Sequence, residues 1–203
     1  MDVMVHEKII GWHGTTRESS EKIMQAGFRF EEYIFGKSNQ RLPNDLGAGI
    51  YFFVEDDHLE NPQSLAYKYV LNYKNRELNK TKSIPKVLKA EINVNEDFVL
   101  DFDEMDNTEA LMSLQKLFRK ELYQEIQRLK PSGAVDRGNF DGLFIELLIA
   151  KFKKDRGVDI DIVRKRTFTN VEEKLGNIPI RRSNFPNGKE ISVRKSELIT
   201  NLE

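Results

Sequence analysis

The chain of 203 residues contains no cysteine. A disulfide framework and a metal site built on thiolates are therefore excluded. The chain also lacks an apolar run near the ~20 residues that a membrane-spanning helix needs. Its first ten residues, MDVMVHEKII, have none of the features of a signal peptide. We therefore expect a cytoplasmic protein without a membrane partner.

Repeats and linkers are absent as well. No stretch recurs at a fixed period, and no low-complexity segment divides the chain. The length suits one domain with a sizeable core. We predict a single domain over residues 1–203.

Charge is present in both signs but is unevenly distributed. The net charge is −1, yet residues 151–203 hold 13 Lys and Arg against 8 Asp and Glu, whereas residues 1–150 hold 19 against 25. A basic C-terminal quarter is compatible with a phosphate-bearing ligand or with nucleic acid. A solvated charged surface explains the same count equally well.

Hydrophobic periodicity predicts alternating strands and helices. Strands are predicted in HEKIIGWHGT, GIYFFV, PKVLKAEINVNEDFVLDF (one or two), VDIDIVRKRTF and, as the final short strand, KEISVRKSEL. Helices are predicted in TRESSEKIMQAGF, NPQSLAYKYVLNYKNREL, TEALMSLQKLFRKELYQEIQRLK and FDGLFIELLIAKFKKDRG, and loops in FGKSNQRLPNDLGAG, PSGAVDRGN and NIPIRRSNFPNG. Strands near both termini, separated by helices, are most easily combined in a central, largely antiparallel sheet, so we predict an α+β fold.

Two helices carry more detailed predictions. In the first, Ile23, Met24 and Ala26 form the apolar side, and Gly27 ends the helix. The third has apolar residues at helical spacing along one continuous helix, namely Leu111, Leu114, Leu117, Phe118, Leu122 and Ile126.

Most motifs that would specify a chemistry are missing. His6, His13 and His58 are not spaced as metal ligands, so we predict no metal. The Gly47–Gly49 GAG stretch precedes a strand, whereas a dinucleotide-binding glycine loop follows one. Neither a GxxxxGK[ST] loop nor a G-x-S-x-G elbow is present.

Three separated clusters remain, and each has a structural explanation when taken singly. His13-Gly14-Thr15 is typical of a strand end, Tyr51 in GIYFF of a core strand, and Glu190 in EISVR of a solvated strand edge. Their order and combination point to a binding site.

Together, GWHGTT, SSEKIMQAGF, LGAGIYFF and AYKYV resemble the first half of the His-Tyr-Glu class of ADP-ribosyltransferases, which includes the poly(ADP-ribose) polymerases. That class has a strand ending in H-G-[ST], a helix ending in G-[FL], then G-x-G-I-Y-F and a helix with small residues and a tyrosine. The resemblance covers residues 9–70. Later, GVDIDIVRKRTF and FPNGKEISVRKSELI look like the tail of bacterial and phage-defence toxin-like members, whose third motif is [EQ]-I-x-V-R.

The resemblance implies an ADP-ribosyltransferase-like fold, with a mostly antiparallel split sheet flanked by helices, and NAD+ as co-substrate. The implied catalytic residues are His13, Tyr51 and Glu190. The implied NAD+-binding residues are His13, Gly14, Thr15, Gly49, Tyr51, Ser64, Tyr67 and Tyr69. In this scheme His13 donates to a ribose hydroxyl, Gly14 recognises the carboxamide through its backbone, and Tyr51 stacks on the nicotinamide.

A second stacking tyrosine is implied in the following helix, and two residues fit. Tyr67 has S-x-x-Y spacing with Ser64, and Tyr69 has A-x-x-Y spacing with Ala66. Both stay open. Arg17, Arg29 and Arg41 lie where they would meet a pyrophosphate, but an ordinary surface position explains each of them as well.

The chemistry of NAD+ suits a carboxylate at the third position. The nicotinamide leaving group is already cationic, so it needs no general acid. The enzyme must instead stabilise an oxocarbenium-like transition state and orient its two halves. Glu190 is the candidate, either accepting a hydrogen bond from the ribose 2′-hydroxyl or acting as general base toward the nucleophile.

The resemblance implies a toxin-like or defence mono-ADP-ribosyltransferase that modifies RNA, DNA or protein and is neutralised by an antitoxin. Arginine is disfavoured as the acceptor, because Gly188 stands where arginine-specific relatives of the Arg-Ser-Glu class carry a glutamate. Two alternatives stay open: an RNA 2′-phosphotransferase of the same fold, and an inactive module that binds NAD+ or a partner.

Overall fold

The fold is built around a seven-stranded sheet. The computed structural model describes residues 6–73, 82–130, 140–170, 173–175, 178–180 and 185–203. The strands are β1 (His6–Thr16), β2 (Ile50–Val54), β3 (Pro85–Asn95), β4 (Val99–Asp101), β5 (Ile162–Thr167), β6 (Glu173–Leu175), β7 (Ile178–Ile180), β8 (Gly188–Val193) and β9 (Ile199–Thr200). The α-helices are α1 (Arg17–Ala26), α2 (Pro62–Tyr73), α3 (Met105–Leu117), α4 (Arg119–Ile126) and α5 (Asp141–Arg156).

The sheet has the order β4-β5-β8-β2-β1-β3-β9. Every neighbouring pair is antiparallel except β4 and β5, which run parallel. The prediction of an α+β fold with a mostly antiparallel sheet is therefore confirmed. Strands β6 and β7 form a separate antiparallel pair.

Both faces of the sheet are covered. On one face, Phe53 packs with Leu65 and Ala66 of α2, and farther along the same face Leu114 of α3 and Ile145 of α5 join a second cluster. On the other face, the core is closed by side chains from the segment after α1 and from the C-terminal end, namely Phe28, Phe30, Leu198, Ile199 and Leu202. The sheet therefore separates a helical side from a side covered mainly by loops.

Helix α1 confirms its predicted limits but not its predicted apolar side. The Thr16 hydroxyl caps the helix by accepting from the Ser19 N–H, and Gly27 ends it with a φ of 72°. However, Ser20 is its buried residue, whereas Met24 is 50% exposed and Ala26 is also exposed. The helix is tied to the sheet mainly by its capped end, so its apolar side chains are not drawn inward.

Three further predictions need correction. The predicted long third helix is broken at Phe118, whose φ of −112° is not helical, and Leu117 at the break is 72% exposed. Ile178–Ile180 was predicted as loop but is strand β7, and β9 follows the strand predicted to be last. Both strands are two or three residues long, too short for local periodicity to reveal. Residues 74–78 of the second predicted helix and the predicted loop 131–139 lie outside the described residues.

Gly142, at the start of α5, packs closely against the backbone of Asn44, and a substitution can test this contact. A Cβ added to Gly142 would lie 1.7 Å from the carbonyl oxygen of Asn44. We expect Gly142→Ala to push α5 away from the Asn44 loop and to lower the free energy of unfolding by about 1–3 kcal/mol, measured by urea denaturation. Gly157→Asn is the control: its site has φ 69° and nothing within 4 Å of an added Cβ, so we expect less than about 1 kcal/mol. An unchanged stability in Gly142→Ala would contradict the packing.

Candidate active site

Strands β1 and β2 separate partway along their length. They pair only at Gly11–Val54 and Trp12–Phe53. In contrast, β1 pairs with β3 over its whole length, and β2 pairs with β8 over all five of its residues. We call the gap between residues 13–16 of β1 and residues 50–52 of β2 the fork. The two strands that border the fork, β1 and β2, carry His13 and Tyr51, and β8, on the other side of β2, carries Glu190.

The imidazole of His13 spans the fork. Its Nδ1 lies 2.8 Å from the backbone oxygen of Tyr51. Because a carbonyl only accepts, Nδ1 carries the proton and donates it, which leaves Nε2 as an acceptor in the neutral ring. The ring packs edge-on against Phe28 and Phe52, with centroids 5.1 and 5.8 Å away. The orientation of His13 is therefore set by one hydrogen bond and two aromatic contacts.

The side chain of Tyr51 ties down the loop that precedes its own strand. Its hydroxyl donates to the Gly47 carbonyl at 2.7 Å and accepts from the Leu46 N–H at 2.8 Å. Burial raises the pKa of this hydroxyl well above its ordinary value, and the nearby carboxylates of Glu190 and Asp45 act in the same direction. The hydroxyl therefore stays protonated, and its hydrogen-bonding capacity is used by the loop.

A buried ion pair holds the same loop from the other side. Arg194, which follows β8, donates to both carboxylate oxygens of Glu146 on α5, at 2.6 and 3.0 Å, and to the Ala48 carbonyl at 2.8 Å. Glu146 in turn accepts from the Ala48 N–H at 2.7 Å. The side chains of both charged residues are less than a tenth exposed. The pair therefore joins α5, the end of β8 and the loop before β2.

Glu190 is half-buried, and its carboxyl accepts a hydrogen bond from a neutral side chain. Its Oε1 accepts from the Thr169 hydroxyl at 2.8 Å. Burial raises the pKa of Glu190 and Asp45 adds to this effect, while the hydroxyls of Thr169 and Thr167 oppose it. A titratable group with a perturbed pKa near an opening in a sheet has the character of a functional residue.

The strand register shows how the three side chains are oriented. Phe53 pairs with both Trp12 and Glu190, so these residues lie on the helical face, and Tyr51, two positions from Phe53, shares that face. His13 follows Trp12 and therefore points to the other face, toward Phe52. The structure brings Tyr51 and Glu190 together on one face, and it brings His13 to the fork from the opposite face. Trp12 packs beside Phe53.

The glycines and threonine of the motifs are closely packed. A Cβ on Gly14 would lie 2.1 Å from the Ala66 carbonyl oxygen of α2, and one on Gly49 would lie 2.0 Å from the Ser192 hydroxyl oxygen. Thr15 is 1% exposed. The missing side chain of Gly14 therefore lets α2 approach β1, a packing role that the sequence did not indicate.

The structure distinguishes the residues proposed on α2. Tyr69 is half-buried, and its ring centroid lies 6.3 Å from that of Phe53. Tyr67 is 45% exposed, and Ser64 is exposed. Tyr69 is therefore the tyrosine that packs against the central strands, which favours it over Tyr67 as the second stacking residue.

Other parts of the described structure give less support for a binding site. Arg17, Arg29 and Arg41 are all exposed. Within the described ranges no group of three or more His, Asp or Glu side chains is arranged to hold a metal ion. Among the described helices, none has the length and apolar character that a membrane crossing requires. A cavity of about 1000 Å³ lies among α3, α4 and the start of α5, is lined in part by Met112, Tyr123 and Phe144, and contains none of the motif residues.

No protein-family model, curated protein or solved structure matches this chain. Support for a function therefore comes from the geometry of the fork and from the motifs that meet there. The sequence singled out His13, Tyr51 and Glu190 but gave no sign of Thr169 or Glu146, because both reach the site through contacts between distant parts of the chain.

The Glu146–Arg194 pair yields a stability prediction. Glu146→Gln leaves the Arg194 guanidinium buried without its counter-charge, so we expect a loss of roughly 3–5 kcal/mol of unfolding free energy by urea denaturation. The double variant Glu146→Leu with Arg194→Met should recover most of this loss. As a control, Lys153→Ala breaks the exposed pair with Asp159 and should cost less than about 1 kcal/mol. Equal effects of Glu146→Gln and Lys153→Ala would contradict a buried pair.

The raised pKa of Glu190 yields a prediction of how stability depends on pH. A carboxyl whose pKa is higher in the folded than in the unfolded chain favours folding while it is protonated, and this contribution is lost as pH rises through the folded pKa. Glu190→Gln mimics the protonated form at every pH. We therefore expect it to raise the midpoint of thermal unfolding at pH 7.5 and to have little effect at pH 4. A lower midpoint at pH 7.5 would indicate that charged Glu190 stabilises the fold.

Proposed function

We propose that this chain transfers ADP-ribose from NAD+ to a macromolecular acceptor and releases nicotinamide. The observation that carries the proposal is the placement of the three motif residues on three adjacent strands, β1, β2 and β8, beside the fork. His13 and Tyr51 are joined there by a hydrogen bond. Glu190 lies across the β2–β8 pairing, on the face that bears the Tyr51 ring. A purely structural explanation of the three motifs gives no reason for them to meet.

Glu190 has the environment that this reaction needs. The bond from ribose C1′ to the nicotinamide nitrogen breaks, its electron pair leaves with neutral nicotinamide, and positive charge develops on the sugar. A carboxylate shielded from water stabilises that charge more strongly than a solvated one does. An acceptor nucleophile then bonds to C1′ and gives up its proton, for which Glu190 is the nearest candidate base among the motif residues.

The tautomer of His13 refines its role. Since Nδ1 donates to the Tyr51 carbonyl, the neutral ring offers Nε2 as an acceptor. In this proposal His13 therefore accepts a hydrogen bond from a ribose hydroxyl, rather than donating one. Because the ring approaches from the face opposite Glu190, the ribose has to sit in the fork itself to meet both residues.

The nicotinamide would be held by aromatic surface. The Tyr51 hydroxyl is occupied by its two hydrogen bonds, which also fix the ring. Tyr51 can therefore contact the nicotinamide only by stacking of its ring. Tyr69, packed near Phe53, supplies the second ring. A stack between two restrained rings costs little conformational entropy on binding.

The acceptor is the open part of the proposal, and the basic C-terminal quarter does not decide it. Many of its described cations are already neutralised in ion pairs: Lys153, Arg164, Arg166, Lys189, Arg194 and Lys195. Among the described residues, part of the positive charge is therefore neutralised, so the charge count alone does not indicate a surface for nucleic acid. RNA, DNA and protein are separate outcomes of the test below.

The test is incubation of the protein and cell lysate with NAD+ labelled in its adenine, followed by separation into protein, RNA and DNA fractions. We expect nicotinamide release and label in one fraction, with both reduced roughly 10²–10³-fold in Glu190→Gln, as when one preorganised transition-state contact is removed. His13→Ala should also lower NAD+ use. Its matched control is His58→Ala, because His58 is an exposed residue in the segment after β2.

The outcomes separate the possible activities. Nicotinamide release without label in any macromolecule would indicate hydrolysis of NAD+ rather than transfer. Binding of NAD+ without its consumption would indicate an inactive module. If NAD+ is neither bound nor consumed by the folded protein, the proposal is wrong.

A further inference from the structure

Thr169 and Thr167 bring their hydroxyls close to the carboxyl of Glu190. Thr169 donates to its Oε1 at 2.8 Å, and Thr169 is itself 5% exposed. Thr167 is close enough to lower the pKa of Glu190, although its buried Oγ1 makes no hydrogen bond of good geometry. Ser192, two residues along β8, lies opposite Tyr51 and is fully buried. Among the residues that the structure describes, the hydrogen-bond donor to this carboxyl is the neutral hydroxyl of Thr169.

Thr169 is held in place by a second residue, Asn187. The Asn187 side chain accepts from the Thr169 N–H at 2.8 Å and donates to the Thr169 carbonyl at 2.9 Å. The Asn187 N–H donates to the Thr167 carbonyl at 2.9 Å. These three bonds connect the end of β5 to the residue just before β8, so the backbone around Thr169 is fixed relative to Glu190.

Helix α2 and the segment before it secure the same region. The Asn72 side chain donates to the Asn170 carbonyl at 2.8 Å. The backbone N–H of Glu60 donates to the Asn187 carbonyl at 3.0 Å. Thr169 is thus anchored on both sides of its position in the chain, and its hydroxyl is aimed at one acceptor.

We propose that Thr169, fixed by Asn187, is a positioning residue that orients the Glu190 carboxyl and favours its ionised form. The catalytic role of Thr169 rests on the proposed function, whereas the hydrogen bond from its hydroxyl to the Glu190 carboxyl does not. A hydroxyl that donates to a carboxylate stabilises the charged form of that group. It therefore offsets part of the effect of burial, and it restricts Glu190 to one rotamer.

The charged and titratable surroundings of Glu190 make this donor important. Tyr51 on β2 stays protonated, and Asp45 in the loop before β2 raises the pKa of Glu190. Lys165, which lies opposite Glu190 in the β5–β8 register, is exposed. Without the Thr169 hydroxyl, burial and Asp45 would keep the carboxyl protonated to a higher pH.

The test compares Thr169→Val, which removes the hydroxyl at nearly constant shape, with Thr169→Ser, which retains it. The first readout is the pKa of Glu190, from ¹³C NMR of carboxyl-labelled glutamate in the whole protein, with the resonance assigned through Glu190→Gln. We expect Thr169→Val to raise this pKa and Thr169→Ser to leave it near the wild-type value. If Thr169→Val does not fold, Thr169→Ala against Thr169→Ser gives the same comparison.

The second readout is the pH profile of NAD+ consumption. The ionised carboxyl of Glu190 is the active form. Because Thr169→Val removes a hydroxyl that favours this form, the acidic limb of the activity profile should shift to higher pH in this variant. We expect roughly a tenfold loss of kcat at a pH on that limb, the ratio that loss of one hydrogen bond to a charged group produces. The change should be in kcat rather than in KM, and Asn187→Ala should act in the same direction.

The pKa of Glu190 tests the role of Thr169, and NAD+ consumption tests the proposed function, so the two can fail separately. A Glu190 pKa that is unchanged in folded Thr169→Val overturns the positioning role, whether or not NAD+ is consumed. A wild-type protein that does not use NAD+, but in which Thr169→Val raises the Glu190 pKa, refutes the proposed function and supports the coupling of Thr169 to this carboxyl.

Discussion

The fork depends on the buried ion pair between Glu146 and Arg194. It connects α5, the end of β8 and the loop before β2, and it pairs with both backbone groups of Ala48. Two charges this deeply buried are tolerated only because their polar atoms are matched to each other and to the backbone. With Tyr51 bonded to Leu46 and Gly47, the loop has little freedom. The start of β2, and hence one side of the fork, is therefore held by contacts that lie outside the sheet.

The sheet divides into a part that stabilises the fold and a part that leaves polar groups available. Where β1 pairs fully with β3 and β2 with β8, the backbone is hydrogen-bonded within the sheet, and the face opposite the helices is apolar. At the fork this pairing stops, and a histidine ring takes the place of a strand partner for the Tyr51 carbonyl. Near it stands a carboxyl that burial disfavours in its charged form. An unfavourable arrangement of this kind is typical of residues kept for chemistry rather than for stability.

Local sequence patterns predicted much of the fold. Features that depend on contacts between distant parts of the chain could not be predicted from them. The alternation in β3 and the stop at Gly27 are properties of neighbouring residues, so they could be predicted. The break at Phe118 could not, because it interrupts an unbroken helical pattern. At the site, the motifs identified His13, Tyr51 and Glu190. They did not reveal that His13 lies on the opposite face, since that depends on strand register. Thr169 and Glu146 act through partners distant in sequence, which periodicity does not encode.

We propose that the fork binds the nicotinamide ribose of NAD+. A titration of NAD+ into isotopically labelled protein, followed by the NMR signals of the His13 ring, the Tyr51 ring and the Thr169 amide, tests this proposal. We expect saturable shifts at these three positions, centred on the fork. Saturable shifts confined to the cavity lined by Met112, Tyr123 and Phe144, or no shifts at millimolar NAD+, would contradict it.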